Sequence, residues 1–119
     1  MVGSMAASEA FDRGVRAVAA FCESQISDEV EAELRLEHAV RGSSVTIIER
    51  RPAWNDPGGS NWSSLKIAQL RYDDQGRRWT LYACDRNERW FAYDDAAPAG
   101  DVGALLNEIA DDRTGIFWG

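Results

Sequence analysis

"LKIAQLRYDDQGRRWTLYACDRNERWFAYD", residues Leu65–Asp94, carries the decision on fold. Three runs within it, 65–72, 77–85 and 89–94, are rich in aromatic and branched residues and are separated by short polar breaks. Such runs read as strands, and breaks this short allow only antiparallel neighbours. In the first break, Asp73-Asp74-Gln75-Gly76, the glycine is expected to supply a positive φ; in the second, Arg86-Asn87-Glu88, the asparagine is expected to tolerate one. Along the middle run Trp79, Leu81 and Ala83 point one way and Arg78, Thr80 and Tyr82 the other. The first set is assigned to a core and the second to an Arg-Tyr surface.

Working outward, "LRLEHAV" (34–40) alternates, with Leu34, Leu36, His38 and Val40 on one face, and the turn at 41–44 leads into "VTIIER" (45–50). These make a hairpin that brings the count to five antiparallel strands. Phe11, Val15, Val18, Cys22 and Ile26 recur every three to four residues, which predicts a helix from an N-cap at Ser8, weakened by Gly14. Residues 27–34 suggest a short acidic helical turn, and the acidic stretch from Asp28 to Glu37 reads as a solvated face. Past Pro98 and Gly100, Val102, Leu105, Leu106 and Ile109 define a closing helix capped by Asp101. The expected fold class is therefore α+β: a five-stranded antiparallel meander-type sheet with the N-terminal and C-terminal helices packed on one face. Residues 8–119 are expected to form a single domain, with 1–7 as an unstructured tail or expression remnant, and no internal repeat interrupts it.

A chain of 119 residues buries roughly two-thirds of its unfolded surface and supports one core without staples. Two cysteines outside any C-x-x-C spacing and one histidine leave too few ligands for a zinc site, so no metal and no cofactor is expected. The N-terminus lacks a leader pattern and no run approaches the ~18 apolar residues of a membrane span. A cytoplasmic location with reduced thiols and no membrane partner is the expectation. The net charge of −7 is unevenly spread: residues 1–49 sum to −5, 50–89 to +3 and 90–119 to −5. An acidic whole makes nucleic acid an unlikely partner, whereas its basic middle suits an anion.

"VTIIERRPAWNDPGGSNW" (45–62) concentrates two arginines and two tryptophans at the end of a strand. One reading has Trp54 and Trp62 plugging an open sheet end while the arginines pair with Glu49 or nearby carboxylates. The other has two guanidiniums beside an indole forming a forked donor site. Consecutive strand residues point to opposite faces, so Arg50 and Arg51 are expected to divide between the helix side, carboxylate-paired and buried, and the free side, over Trp54 or beside Trp90. "DRN" (85–87) is what turn chemistry selects, and His38 reads as a core or edge histidine. Ile116, Phe117 and Trp118 should be buried, in cis or against another subunit, so monomer and homodimer both stay open.

Three function classes follow. The leading one is a non-catalytic interaction module presenting Arg50, Arg51, Trp54, Arg86 and Trp90 to an acidic protein, peptide or small anion. The second is a sheet-face binder of single-stranded nucleic acid using Tyr82, Arg78 and a tryptophan, whose mark would be a continuous positive face. The last is a small hydrolase-type enzyme using Asp85 or Glu49 as acid or base, which no visible nucleophile supports. The motifs "SVTIIERRPAW" (44–54), "WTLY" followed by "DRN", "YDD" after the fifth strand, and the terminal "TGIFWG" together resemble a bacterial family of small proteins, domain of unknown function 3024. The resemblance covers Phe11 to Gly119 and implies no activity, substrate or catalytic residue. Ala83-Cys84 stands where such sequences usually carry a tryptophan or tyrosine and an arginine.

Overall fold

The computed structural model describes residues 2–25, 35–52 and 62–118. The expected acidic turn at 27–34 lies outside them, as does Trp54. Helix α1 spans Val2–Gln25 and so begins ahead of Ser8, the expected N-cap. Residues 2–7, set apart above as a tail, are helical. The strands follow as β1 (Arg35–Arg41), β2 (Ser44–Pro52), β3 (Trp62–Asp73), β4 (Arg78–Cys84) and β5 (Trp90–Ala92), and α2 (Val102–Asp111) closes the order. The fold is α+β, with one five-stranded sheet in the sequential antiparallel order β1-β2-β3-β4-β5. Beyond β5, Ala99 exchanges backbone hydrogen bonds with Trp79 and so pairs the part of β4 that β5 leaves open.

The turns differ from expectation in one respect: positive φ falls on Arg77 (φ 53°) and Glu88 (φ 62°), not on Gly76 and Asn87. The carboxylates of Asp73 and Asp85 are the cause. Asp73 accepts from the Gln75 N–H at 3.1 Å, and Asp85 from the Asn87 and Arg89 N–H groups at 2.8 and 2.9 Å. These local turns hold the early residues right-handed and push the left-handed step to the last position. Gly76 serves by its size instead, because a Cβ there would lie 2.7 Å from the Asp73 carboxylate.

Pairing of β2 with β3 slips between Ile47, opposite Ala68, and Ile48, opposite Lys66. Ile67 is the extra residue of this β-bulge, and both Ile67 and Ala68 turn inward and are buried. Across the bulge the alternation of β3 changes parity. Lys66 consequently shares one face with Gln69 and Arg71 although it stands an odd number of residues, three and five, from them.

One sheet face carries the core. Val45, Ile47, Leu70, Leu81 and Ala83 are fully buried beneath Val18 and Cys22 of α1 and Val102, Leu105, Leu106 and Ile109 of α2. At the start of β4, Trp79 stacks on Phe11 (5.6 Å between centroids, 15° between planes) and tilts against Tyr72 at 5.0 Å. Its indole lies directly against the α1 backbone at Gly14, where an added Cβ would stand 2.8 and 2.9 Å from Cε2 and Cη2 and closer still to Cζ2. The glycine that costs helix propensity is thus the one that lets the helix reach the sheet.

The N-cap of α2 is Asp101, which accepts from the Gly103 N–H at 2.9 Å, as its sequence predicts. At the other end Asp112 adopts a left-handed conformation (φ 45°), and its carboxylate accepts from the Phe117 and Trp118 N–H groups at 3.0 and 2.9 Å. Trp118 Nε1 donates to the Ile109 carbonyl at 2.8 Å, and Phe117 is buried against Tyr93. The tail therefore folds onto its own chain. Of the three residues expected to be buried only Phe117 is, since Ile116 and Trp118 remain 39% and 37% exposed. Trp118 needs its polar edge near a carbonyl and leaves part of its ring in water.

Two stability measurements follow. Leu81→Ala should lower the unfolding free energy by about 2–5 kcal/mol in denaturant melts, since the side chain is fully buried between sheet and helices. A loss under about 1 kcal/mol would mean the register of β4 is wrong. Gly14→Ala should destabilise by about 1–3 kcal/mol through overpacking against Trp79, although it gains about 0.8–1.0 kcal/mol of helix propensity. A variant as stable as the parent would separate α1 from Trp79.

Candidate functional site

Because the helices cover one sheet face, the pleat sends every other strand residue to the opposite, open face. Cross-strand register identifies its cations as Arg35, Arg41, Arg50, Lys66, Arg71 and Arg78, and its carboxylates as Glu37 and Asp73. Among the described residues, six against two is an excess of four positive charges on one surface of a chain whose net charge is −7. Trp62, Tyr82, Cys84 and Trp90 share that face.

The cations are held rather than scattered. The Arg71 guanidinium lies 3.8 Å above the Tyr82 ring, and its Nε donates to Gln69 Oε1 at 2.7 Å, while Gln69 Nε2 donates to Thr46 Oγ1 at 3.0 Å. Gln69 is directly opposite Tyr82, so Arg71, two residues on, is its diagonal neighbour and reaches the ring. Arg35 sits 4.5 Å over Trp62, reaching past β2 from β1 to β3. Arg50 Nη1 lies 3.4 Å from Glu37, and its Nε is buried with no hydrogen-bond partner. Stacks of this kind contribute roughly 0.5–1 kcal/mol at exposed sites, and they hold the guanidinium against the ring.

The residues singled out from sequence are divided. Arg50 and Trp90 stand on the open face. Arg51 points to the helix side, as the alternation requires, with Nε 2.7 Å from Glu49 Oε1. It is not buried there: its side chain is 61% exposed, and Leu65, opposite Glu49, is 57% exposed. The Arg51 guanidinium therefore reaches water at this end of β2 and β3, while its partner Glu49 is largely covered, with 13% of its side chain exposed. Arg86 is exposed in the β4–β5 turn, and Trp54 lies outside the described residues. Arg50, the arginine on the free side, is paired to Glu37 and stands three strands from Trp90, and the expected place over Trp54 falls outside the described residues. The aromatic–guanidinium contacts belong to Arg35 and Arg71, which sequence reasoning passed over because both depend on cross-strand register and Lys66 on the bulge.

The remaining groups have structural roles. Asp85 staples its turn, His38 is exposed on the edge strand, and Arg113 forks onto Glu108 while Nη2 also donates to the Asp95 carbonyl at 3.1 Å. The hydrogen bond and charge of Glu108 push the Arg113 pKa further up. Among the described residues no three His, Cys, Asp or Glu side chains converge as metal ligands, and no helix is long and apolar enough to cross a membrane.

Cys22 and Cys84 lie on opposite sides of the sheet, and both are free thiols. Burial, with a smaller effect of Glu23, pushes the Cys22 pKa up to about 11. Burial also raises that of Cys84, partly offset by Lys66, with Asp85 and Glu88 adding a further rise. Cys84 should therefore react first with a maleimide in the native state, and Cys22 only on unfolding, because a buried neutral thiol is a poor nucleophile. Mass spectrometry of the labelled chain checks the order; equal native labelling of both would contradict the assigned faces.

No match is found for the chain among curated proteins or among solved structures. The model of one family, described as "Domain of unknown function (DUF3024)", matches residues 7–119. Nearly the whole domain is thus matched, and the chain, with its helix-backed meander and its basic open face, belongs to the DUF3024 family.

Proposed function

We propose that this protein is a non-catalytic interaction module whose open sheet face takes an anionic partner. The observation that carries the reading is the segregation of charge: an excess of four cations on one face of an acidic chain. Such a surface draws an anion to one place and repels it elsewhere, which fixes orientation as well as affinity. Arg50 and Trp90 enter this surface directly, while Arg51 and Arg86 flank it. The cations are spread over four strands, with rows about 5 Å apart across the sheet and about 7 Å for every second residue along it. That layout suits an extended anion better than a single small one. Three of the six cations, Arg35, Arg50 and Arg71, are held by a stack or a hydrogen bond, which supports a binding role rather than acid–base chemistry. A bacterial cytoplasm, where Cys22 and Cys84 stay reduced, goes with this reading.

The test is titration of the intact protein with polyglutamate, polyphosphate and heparin at low and at near-physiological salt, reading the rate of Cys84 alkylation. At least one polyanion should protect Cys84 in a salt-sensitive manner. Arg41→Glu with Lys66→Glu, both exposed positions, should weaken that protection at least tenfold without changing the melting temperature. Failure of every polyanion to bind even at low salt would dismiss the proposal.

A further inference from the structure

The open face distinguishes between classes of anion. We infer that its occupant is a short single-stranded nucleic acid, an inference that rests on the anion-binding reading above and narrows it. Three features of the face point this way. First, the cations are interleaved with aromatic rings: Trp62, Tyr82 and Trp90 share the surface, and two of them carry a guanidinium plane. A base stacks on an aromatic ring or on an arginine plane, so each pair is a ready platform, whereas the carboxylates of an acidic peptide need donors and gain nothing from a flat surface.

Second, the face is an open sheet. Among the described residues it offers no helix to enter a duplex groove, so paired bases stay out of reach while splayed bases of a single strand do not. Third, hydrogen-bonding groups lie between the platforms. The Arg71–Gln69–Thr46 chain runs across β3 and β2 beside Tyr82, and the Arg50 Nε donor is without a partner in the row that holds Arg35 and Ser64. Phosphates have Lys66, Arg41 and Arg78 at hand, and donors and acceptors at the centre meet base edges.

The net charge of −7 argued against nucleic acid from sequence, and the arrangement of the chain changes the weight of that argument. What a strand meets is the open face, and the acidic remainder limits contact to a short segment. Few phosphates are then neutralised, and the salt dependence should be modest. With three or four neutralised phosphates the slope of log K against log salt would be about −2 to −3, at roughly −0.7 per phosphate for single strands.

The experiment is a fluorescence titration of the full chain with an eight-nucleotide mixed-sequence DNA or RNA strand, an eight-residue glutamate peptide and an eight-base-pair blunt duplex, at matched salt. The single strand should bind at least tenfold more tightly than either competitor and quench tryptophan emission. Trp62→Ala and Arg71→Lys, the second keeping the charge but losing the planar stack, should each weaken it about tenfold while far-UV circular dichroism stays unchanged. Equal binding of the glutamate peptide, or binding of the strand unaffected by Arg71→Lys, would overturn this inference and leave the anion-binding module standing. Preference for the duplex would overturn it too. Binding of none of the three here, nor of any polyanion above, would remove both.

Discussion

The parity of β3 is the constraint on which both faces of this molecule depend. A strand whose one side is buried under helices has no freedom in register, because a one-residue slip moves every side chain across the sheet. Without the bulge at Ile67, the alternation that buries Ala68, Leu70 and Tyr72 would place Lys66 on the helix side and Leu65 among the cations. With it, Ile67 and Ala68 are both inward, and Lys66 joins Gln69 and Arg71 outside. The same irregularity therefore serves burial on one side and charge on the other. Bulges are often found where a strand must re-aim a side chain, and here the side chain is the only lysine in the chain.

What holds the helix layer to that sheet is mainly shape. Trp79 fills the space between β4 and α1, flanked by Phe11 and Tyr72, and the absence of a side chain at Gly14 lets the two backbones close on the indole. The Tyr72 hydroxyl is buried there with no partner, a cost of about 1–3 kcal/mol that the surrounding aromatic packing must exceed. At the far end Asp112 gathers the tail through two backbone N–H groups, and Arg113 ties the same corner to the loop before α2. The open face receives no such cover. Its side chains shield one another through cation–ring stacks and a chain of hydrogen bonds, and so remain ordered at the surface.

Much of the fold is legible in the residues. The alternation of "RWTLYAC" places Trp79, Leu81 and Ala83 inward, and the spacing of Val102, Leu105, Leu106 and Ile109 gives α2 with its Asp101 cap. These signals are local and strong. The places where the reading departs from the structure turn on interactions that the type of a single residue does not reveal. Ser8 makes a good N-cap, yet the helix continues through it. Gly76 and Asn87 favour positive φ, but aspartate side chains two or more residues earlier set the turns. The helix side is expected to bury whichever of Arg50 and Arg51 points to it, and Arg51, which does, keeps most of its side chain in water, because burial depends on how far the helices extend. The cation–aromatic face is the least legible part: counting charge by segment finds a basic middle, while the pairs Arg35–Trp62 and Arg71–Tyr82 join residues 27 and 11 positions apart.

The central claim, that one bulge sorts the molecule into an apolar face and a cation–aromatic face, is open to a single nuclear Overhauser spectrum of the free protein. The structure predicts contacts between the Arg71 side chain and the Tyr82 ring, between Arg35 and Trp62, and between Lys66 and Ile48, its partner on β2, with ring-current shifts on the arginine methylenes. Contacts from Lys66 to the methyls of Val18 or Ala83, with Leu65 seen beside Trp90 instead, would place the lysine under the helices and contradict the account.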